Sequence, residues 1–156
     1  DDPLIQAHIR ELCGADLLCV VHPNYWGAPP AIMKGWIDRV LVSGICYGGM
    51  RFYDRGGLKG KRALLALTCG GKPHMLAEGG IHGPIEDMLQ PILRGTLAYT
   101  GMDVLPPFVG YHVPYLKPEQ RTAILDDYRQ CLRNLDQLQP LRFASMDEFD
   151  ERLNPL

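Results

Sequence analysis

Three short stretches of this sequence hold residues that could do chemistry together. The first reads His22-Pro23-Asn24-Tyr25-Trp26-Gly27-Ala28-Pro29. Two neighbouring aromatics at the end of an apolar run make a flat wall for a planar ligand, or else pack on the helix that follows. The second reads Thr68-Cys69-Gly70-Gly71-Lys72-Pro73-His74-Met75. A glycine pair directly after a strand brings backbone N–H groups close to a ligand, and serves equally as a tight turn. The third is Gly79-Gly80-Ile81-His82-Gly83, just ahead of Pro84. A histidine there suits proton transfer or charge stabilisation as well as a purely structural role. Cys69 is the thiol best placed to act as a nucleophile, but no cysteine-hydrolase signature surrounds it, so it reads as a small packing residue. There is neither G-x-G-x-x-G nor a P-loop, and His74, His82 and His112 lack ligand spacing, so no metal site is expected.

The elements that must position these loops follow from periodicity and punctuation. Asp2-Pro3 caps a helix with Leu4, Ile5, His8, Ile9 and Leu12 on one face, closed by Gly14. The run Leu17-Leu18-Cys19-Val20-Val21 does not alternate, as expected of a parallel strand covered on both faces. Pro29-Pro30 starts a second helix with an apolar stripe of Ile32, Met33, Trp36, Ile37, Val40 and Leu41. After a glycine-rich connection and the basic cluster Lys59-Gly60-Lys61-Arg62, read as a solvated approach, residues 63–68 form a second unalternating strand. Pro84 opens a long helix, kinked at Pro91 and ended by Gly101. Residues 104–113 form a third strand that Pro106-Pro107 interrupts, which suits an edge. Pro118 starts the last long helix, with Ile124, Leu125, Tyr128, Cys131, Leu132 and Leu135 turned inward. Beyond Pro140, Ser145 and Glu148 have the spacing of a capping box. Alternating helices and strands predict an α/β domain, a parallel sheet between two helical layers. Ligands bind such sheets at the carboxyl ends of the strands, which three loops leave here, His22 to Ala28, Thr68 to Gly83 and Tyr111 to Lys117; the three stretches fall in the first two.

Composition sets outer limits. The 156 residues, 46% of them apolar, are enough for one domain with a real core. Sixteen basic and eighteen acidic residues leave a charge of −2, which argues against a nucleic-acid binder or a polybasic membrane anchor. The longest uncharged stretch, residues 17–33, holds His22, Asn24 and three prolines, so no membrane insertion is expected. Five widely spaced cysteines without a C-x-x-C pair point to a reducing, cytoplasmic setting. The start, Asp1-Asp2-Pro3, has neither an initiator methionine nor a signal-peptide pattern. With 17 glycines and 13 prolines clustered between apolar segments, the chain is rich in built loops.

Residues 23–39, PNYWGAPPAIMKGWIDR, resemble the segment P-x-x-W-x-x-P-A-I-L-K-G-W-x-D/E-R of the NAD(P)H:quinone oxidoreductases, the DT-diaphorase-like group with a flavodoxin-like fold. The resemblance continues through Tyr47-Gly48, Thr68-x-Gly70-Gly71, Gly80-Ile81-His82-Gly83, Pro91-Ile92 and Pro118-Glu119-x-Arg121. It implies a flavodoxin-like three-layer α/β/α domain of which this chain holds the last three strands and four helices, with residues 137–156 as a tail. An earlier strand-helix-strand portion, whose first loop holds the flavin phosphates in the family, is expected to be missing.

The function implied is hydride transfer from NAD(P)H to a non-covalent flavin and then to a quinone. The flavin would be FAD, with FMN as the alternative. Pro23, Asn24, Tyr25, Trp26 and Gly27 would flank its ring; Thr68, Cys69, Gly70 and Gly71 would donate backbone hydrogen bonds. Arg121 and Leu125 match positions on the pyrophosphate and adenine side of FAD. Trp26, Tyr47, Met75, Leu76, His82 and Tyr99 would line the substrate pocket, and His82 matches the family's catalytic histidine. Its family partner, a tyrosine, is here Leu76, so His82 acts alone or through water. Tyr47 and Tyr99 match aromatics that reach a neighbouring subunit's site, implying a homodimer; Gly49 replaces a second tyrosine there. An ancillary flavoprotein of a potassium-efflux system, an electron-carrier flavodoxin and a non-binding remnant are the alternatives.

Overall fold

Asp2 opens the first helix in the manner its place before Pro3 demands. Its carboxylate accepts from the Leu4 N–H at 3.0 Å and from Arg39 at 2.8 Å, and these bonds, the backbone one foremost, hold its carboxyl below the usual range. The structure is a computed structural model and describes residues 2–156; Asp1 lies outside them. Helix α1, Pro3–Gly14, buries Ile9 and Leu12 and leaves Leu4 exposed at its outer end. The basic cluster before the second strand proves more than a solvated approach. Lys61 Nζ donates to the Cys13 and Ala15 carbonyls, both at 2.7 Å, and so satisfies the open end of α1.

Strand β1, Leu17–Pro23, runs parallel to β2, Arg62–Thr68, in register from Leu17 opposite Arg62 to Pro23 opposite Thr68. The proline pair splits the third strand as expected. β3, Asp103–Val104, and β4, Phe108–Gly110, both pair in parallel with β2 and lie on its other side from β1. Among the described strands, β2 alone is paired on both edges. Ala63, Leu65 and Leu67 of β2 and Val20 of β1 join Ile9, Leu12, Val40, Leu89 and Leu93 in one core. Helices α1, α2 (Ala31–Val40) and α3 (Ile85–Ile92) therefore share one face of the sheet. Helix α4, Pro118–Arg133, lies on the other, where Phe108, in register with Ala66, packs on Tyr128 with ring centroids 5.0 Å apart.

Three expectations need correction. β1 is not covered on both faces: Val20 and His22 are buried, whereas Cys19 and Val21 are exposed. The same gap reaches α4, which has no buried residue; Leu125 and Leu132 are exposed and Ile124, Tyr128, Cys131 and Leu135 half-buried. An apolar run reports what a strand could bury, but the neighbours actually present decide what it does bury. The result is an open trough of about 350 Å³ lined by Val21, Pro23, Ala66, Phe108, Leu125 and Tyr128. The stripe of α2 is narrower than its sequence suggests, with Ile32 exposed.

The long helix is not one kinked α-helix either. α3 passes at Ile92 into a π-helix over Leu93–Ala98, with Tyr99 N donating to Arg94 O at 3.0 Å. Pro91 has no N–H and its ring crowds the carbonyl four residues back, so the ladder gives way just beyond it. Gly101, at φ +102°, ends the segment with its α-carbon face against Gly56. The capping box of the tail forms: Ser145 Oγ accepts from Asp147 N at 3.3 Å and Glu148 Oε2 from Ser145 N at 3.4 Å. Asp54 anchors that turn, accepting from Met146 N at 2.8 Å and Ser145 Oγ at 3.0 Å.

Candidate functional site

At the end of β1 the chain makes a two-residue hairpin. Tyr25 and Ala28 exchange both backbone hydrogen bonds at 3.0 Å, and Trp26 and Gly27 between them take φ of +56° and +72°. This is the turn that requires left-handed backbone at both central positions. Glycine adopts it freely; for tryptophan it costs about 1–3 kcal/mol. The strain places an indole with 103% relative exposure and, beside it, a tyrosine with 59%. Tyr25 and Trp26 therefore do not pack on the following helix. From below, the hairpin rests on α3: Asn24 Nδ2 donates to Met88 Sδ at 3.4 Å, and a Cβ on Gly27 would meet Met88 Cγ at 3.4 Å.

The loops after the three strand positions are laced in series. Asn24 N donates to Thr68 O at 2.8 Å, Cys69 N to Gly110 O at 2.9 Å, Val113 N to Cys69 O at 3.1 Å, and His112 N to Gly71 O at 2.9 Å. Pro23, Asn24, Tyr25, Trp26, Gly27, Thr68, Cys69, Gly70 and Gly71 thus belong to one connected rim. Cys69 is buried, and burial pushes its thiol up, while Sγ faces the Gly71 carbonyl at 3.7 Å. A protonated, enclosed thiol is a packing group and a poor nucleophile.

Met75, Leu76 and His82 sit on the loop that folds back beside this rim. His82 N donates to Met75 O at 3.0 Å and the imidazole is exposed. Gly80 makes the fold-back possible, since a Cβ there would lie 2.5 Å from His74 O. Leu76 is buried and turned toward Gly71. The residue in the place of the family tyrosine therefore presents no hydroxyl to His82.

Other candidates lie apart. Arg121 Nη2 reaches the Pro114 carbonyl at 3.4 Å and Leu125 lines the trough over β1, both on the α4 side of the sheet. Tyr47 and Tyr99 pack together, with centroids 5.7 Å apart, and Phe52 stacks on Tyr99 at 5.5 Å and 2°. Tyr47 and Tyr99 line a cavity of about 370 Å³ with Asp38, Leu41 and Thr96, to which no residue of the rim contributes. A larger cleft of about 780 Å³ runs between Phe52, Arg94, Phe143 and Phe149 beside the tail; the rim does not line it. The rim is favoured as the site because open backbone donors and exposed aromatics meet there at strand ends.

His112 belongs to the third strand-end loop expected from the sequence, residues 111–117, but the sequence alone assigns no role to the residue itself. It sits two residues past Gly110, at φ +59°, and its Nδ1 lies 3.1 Å from the Gly70 carbonyl. The signal available was its place just beyond a strand end. Two further polar atoms matter: His22 Nε2 and Asn24 Oδ1 are buried without a protein hydrogen-bond partner among the described residues. His22 Nδ1 donates to Pro23 O at 2.8 Å, so Nε2 is left as an acceptor. Among the described residues no three His, Cys, Asp or Glu side chains are grouped to hold a metal ion, and no helix is long and apolar enough to cross a membrane.

A parallel sheet flanked by helices, with donors and aromatics gathered at its carboxyl edge, defines an α/β domain of the flavodoxin type. Residues 1–135 match the family described as Flavodoxin-like fold, and the chain belongs to that family. It is 37% identical over 95% of its length to NAD(P)H dehydrogenase [quinone] 1 of Rattus norvegicus, of which it covers 54%. A solved structure from Klebsiella pneumoniae, assigned as a quinone reductase, superposes with a TM-score of 0.92 at 35% identity, covering 99% of this chain and 64% of that one. The general stress protein 14 of Treponema denticola, solved in complex with FMN, superposes with a TM-score of 0.70 at 28% identity, covering 86% and 73%. The chain spans about half the length of the rat relative, 54% of it.

Proposed function

We propose that this chain is the ring-binding part of a flavin-dependent NAD(P)H:quinone oxidoreductase. The observation that carries the reading is the rim itself. Neither Gly70, Gly71 nor Lys72 donates its N–H to a backbone carbonyl among the described residues, although their neighbours Cys69 and His112 do, and an exposed Trp26 stands on the next loop. A planar heteroaromatic with acceptors along one edge fits open amides beside an aromatic wall. The unpaired acceptor Asn24 Oδ1 adds a demand for a donor at the same strand end. The names of the rat and Klebsiella relatives and the FMN held by the Treponema protein support this reading.

When bound, a flavin supplies reversible two-electron chemistry by hydride uptake and release, leaving negative charge at its pyrimidine edge. Residues 23–27 would hold the ring and exclude water from one face, and the amides of residues 70–72 would stabilise that charge, whereas the Cys69 amide, expected to contribute, is already spent on Gly110 O. His82 would place its imidazole beside the same edge, without help from Leu76. FAD is preferred over FMN because Arg121 and Leu125 match the family positions on the adenine side. A homodimer, with Tyr47 and Tyr99 completing a neighbour's pocket, and a cytoplasmic location complete the proposal.

The test is a visible absorption spectrum of the full-length protein, with chromatography of any chromophore released. A flavin spectrum and quinone reduction with NADH or NADPH are expected. A colourless protein that takes up neither added FAD nor FMN overturns the reading.

A further inference from the structure

We infer that His112 is the positioning residue that aims the open amides of the glycine loop, a role that rests on the flavin reading above and deepens it. In a trans peptide the C=O and the following N–H point in opposite directions. His112 takes hold of two successive carbonyls. Its backbone N–H donates to Gly71 O at 2.9 Å, and its ring Nδ1 stands 3.1 Å from Gly70 O. Facing a carbonyl oxygen, Nδ1 acts as the donor and carries the proton.

Both carbonyls are therefore drawn toward His112, and the N–H groups of the same two peptides, those of Gly71 and Lys72, are turned away from it. Neither donates to a backbone carbonyl among the described residues; the Gly71 N–H leans toward Cys69 Sγ, where it offsets part of the upward push of burial on that thiol. Two consecutive amides aimed the same way form a small concavity that favours a partial or full negative charge. The chain invests in this grip. His112 is held at φ +59°, ψ +18°, a left-handed conformation uncommon outside glycine, in which asparagine, aspartate and histidine are the enriched exceptions. Its ring is braced by Tyr115, with centroids 4.8 Å apart, and Val113 N ties the next residue to Cys69 O at 3.1 Å. Without the imidazole, the Gly70–Gly71 peptide has no anchor on its carbonyl side and is free to rotate.

The variants His112→Gly and His112→Asn in the full-length protein separate the contributions. Glycine keeps the left-handed backbone but removes the ring donor; asparagine tolerates the same backbone and restores a side-chain N–H. Three readouts are compared with wild type: the carbonyl ¹³C and amide ¹⁵N resonances of residues 70–72 without flavin, the Kd for FMN and FAD by flavin fluorescence, and the reduction potential of the bound flavin. For His112→Gly the expected results are an upfield move of the Gly70 carbonyl resonance and displaced Gly71 and Lys72 amide resonances. Binding of the oxidised flavin should weaken up to about tenfold, the loss of one ordinary hydrogen bond, and the potential should become more negative. His112→Asn should recover part of each change, and melting temperatures should stay close together. Unchanged carbonyl and amide resonances in His112→Gly overturn the inference whether or not the protein binds flavin. Displaced resonances with unaltered flavin affinity and potential overturn the link to the ligand. If wild type binds no flavin while the resonances move, the positioning role stands and the flavin reading fails.

Discussion

A Cβ added to Gly71 would lie 2.8 Å from Leu76 Cδ1, well inside van der Waals contact. The leucine where the quinone reductase family has a tyrosine is thus also the floor under the glycine loop. Gly71→Ala must turn the Cδ1 end of Leu76 aside within a site where that side chain is only 5% exposed. Overpacking of this kind costs about 1–3 kcal/mol. A lower urea midpoint together with weaker flavin uptake is expected; an unchanged midpoint would show that the loop floats free of the core.

Trp26 predicts effects of opposite sign on stability and binding. Trp26→Gly removes the penalty of left-handed backbone at a fully exposed side chain. After allowance for the greater freedom of glycine in the unfolded chain, a gain of up to about 1 kcal/mol is expected. The same variant strips the aromatic wall and should abolish most flavin binding. Denaturant titration and fluorescence titration of one preparation measure both, and loss of stability would contradict the account of the turn.

His82 is exposed and bound to the loop only through its backbone N–H. His82→Gln should therefore leave the fold and flavin binding intact and slow flavin reduction by NAD(P)H, measured by stopped flow. An unaffected rate would remove His82 from the mechanism.

Asp54 makes the tail pH-sensitive. Burial alone would raise its carboxyl, but hydrogen bonds from Met146 N and Ser145 Oγ, with Arg55 nearby, outweigh it and leave it below the usual value. A depressed carboxyl gives stability that is present above the ordinary aspartate value of about 4 and is lost as pH falls through the lower folded one. Protease cleavage in residues 141–149 should rise only below about pH 4 in wild type. In Asp54→Asn it should already be raised at neutral pH, with little further change on acidification.

Much of the frame was legible in the sequence because punctuation residues act locally. Pro118 starts α4, Pro106-Pro107 divides the third strand, and Ser145 with Glu148 closes a capping box, each within a few residues of its cause. The rim loops could be named for the same reason. What stayed hidden depends on partners distant in the chain. Cys19 and Val21 look as apolar as Val20, and only the neighbours present decide which of them is covered. The contact of Gly71 with Leu76 and the hold of His112 on two carbonyls require the fold to bring loops together, and neither leaves a pattern along the chain. Pro91 announced a disturbance; that it takes the form of a π segment depends on how the turns beyond it resettle.

That π segment acts as a one-residue phase shift written into a rod. An α-helix turns about 100° per residue, so a single surplus residue in Leu93–Ala98 swings everything downstream by about that angle. The stacking of Tyr99 on Phe52 is set by this phase. Resettling to ordinary pitch at the present length would dial Tyr99 away from its aromatic neighbours, whereas deleting one residue between 93 and 98 would remove the surplus and leave Tyr99 near its present angle. The aromatic cluster is thus indexed by residue count as much as by residue type.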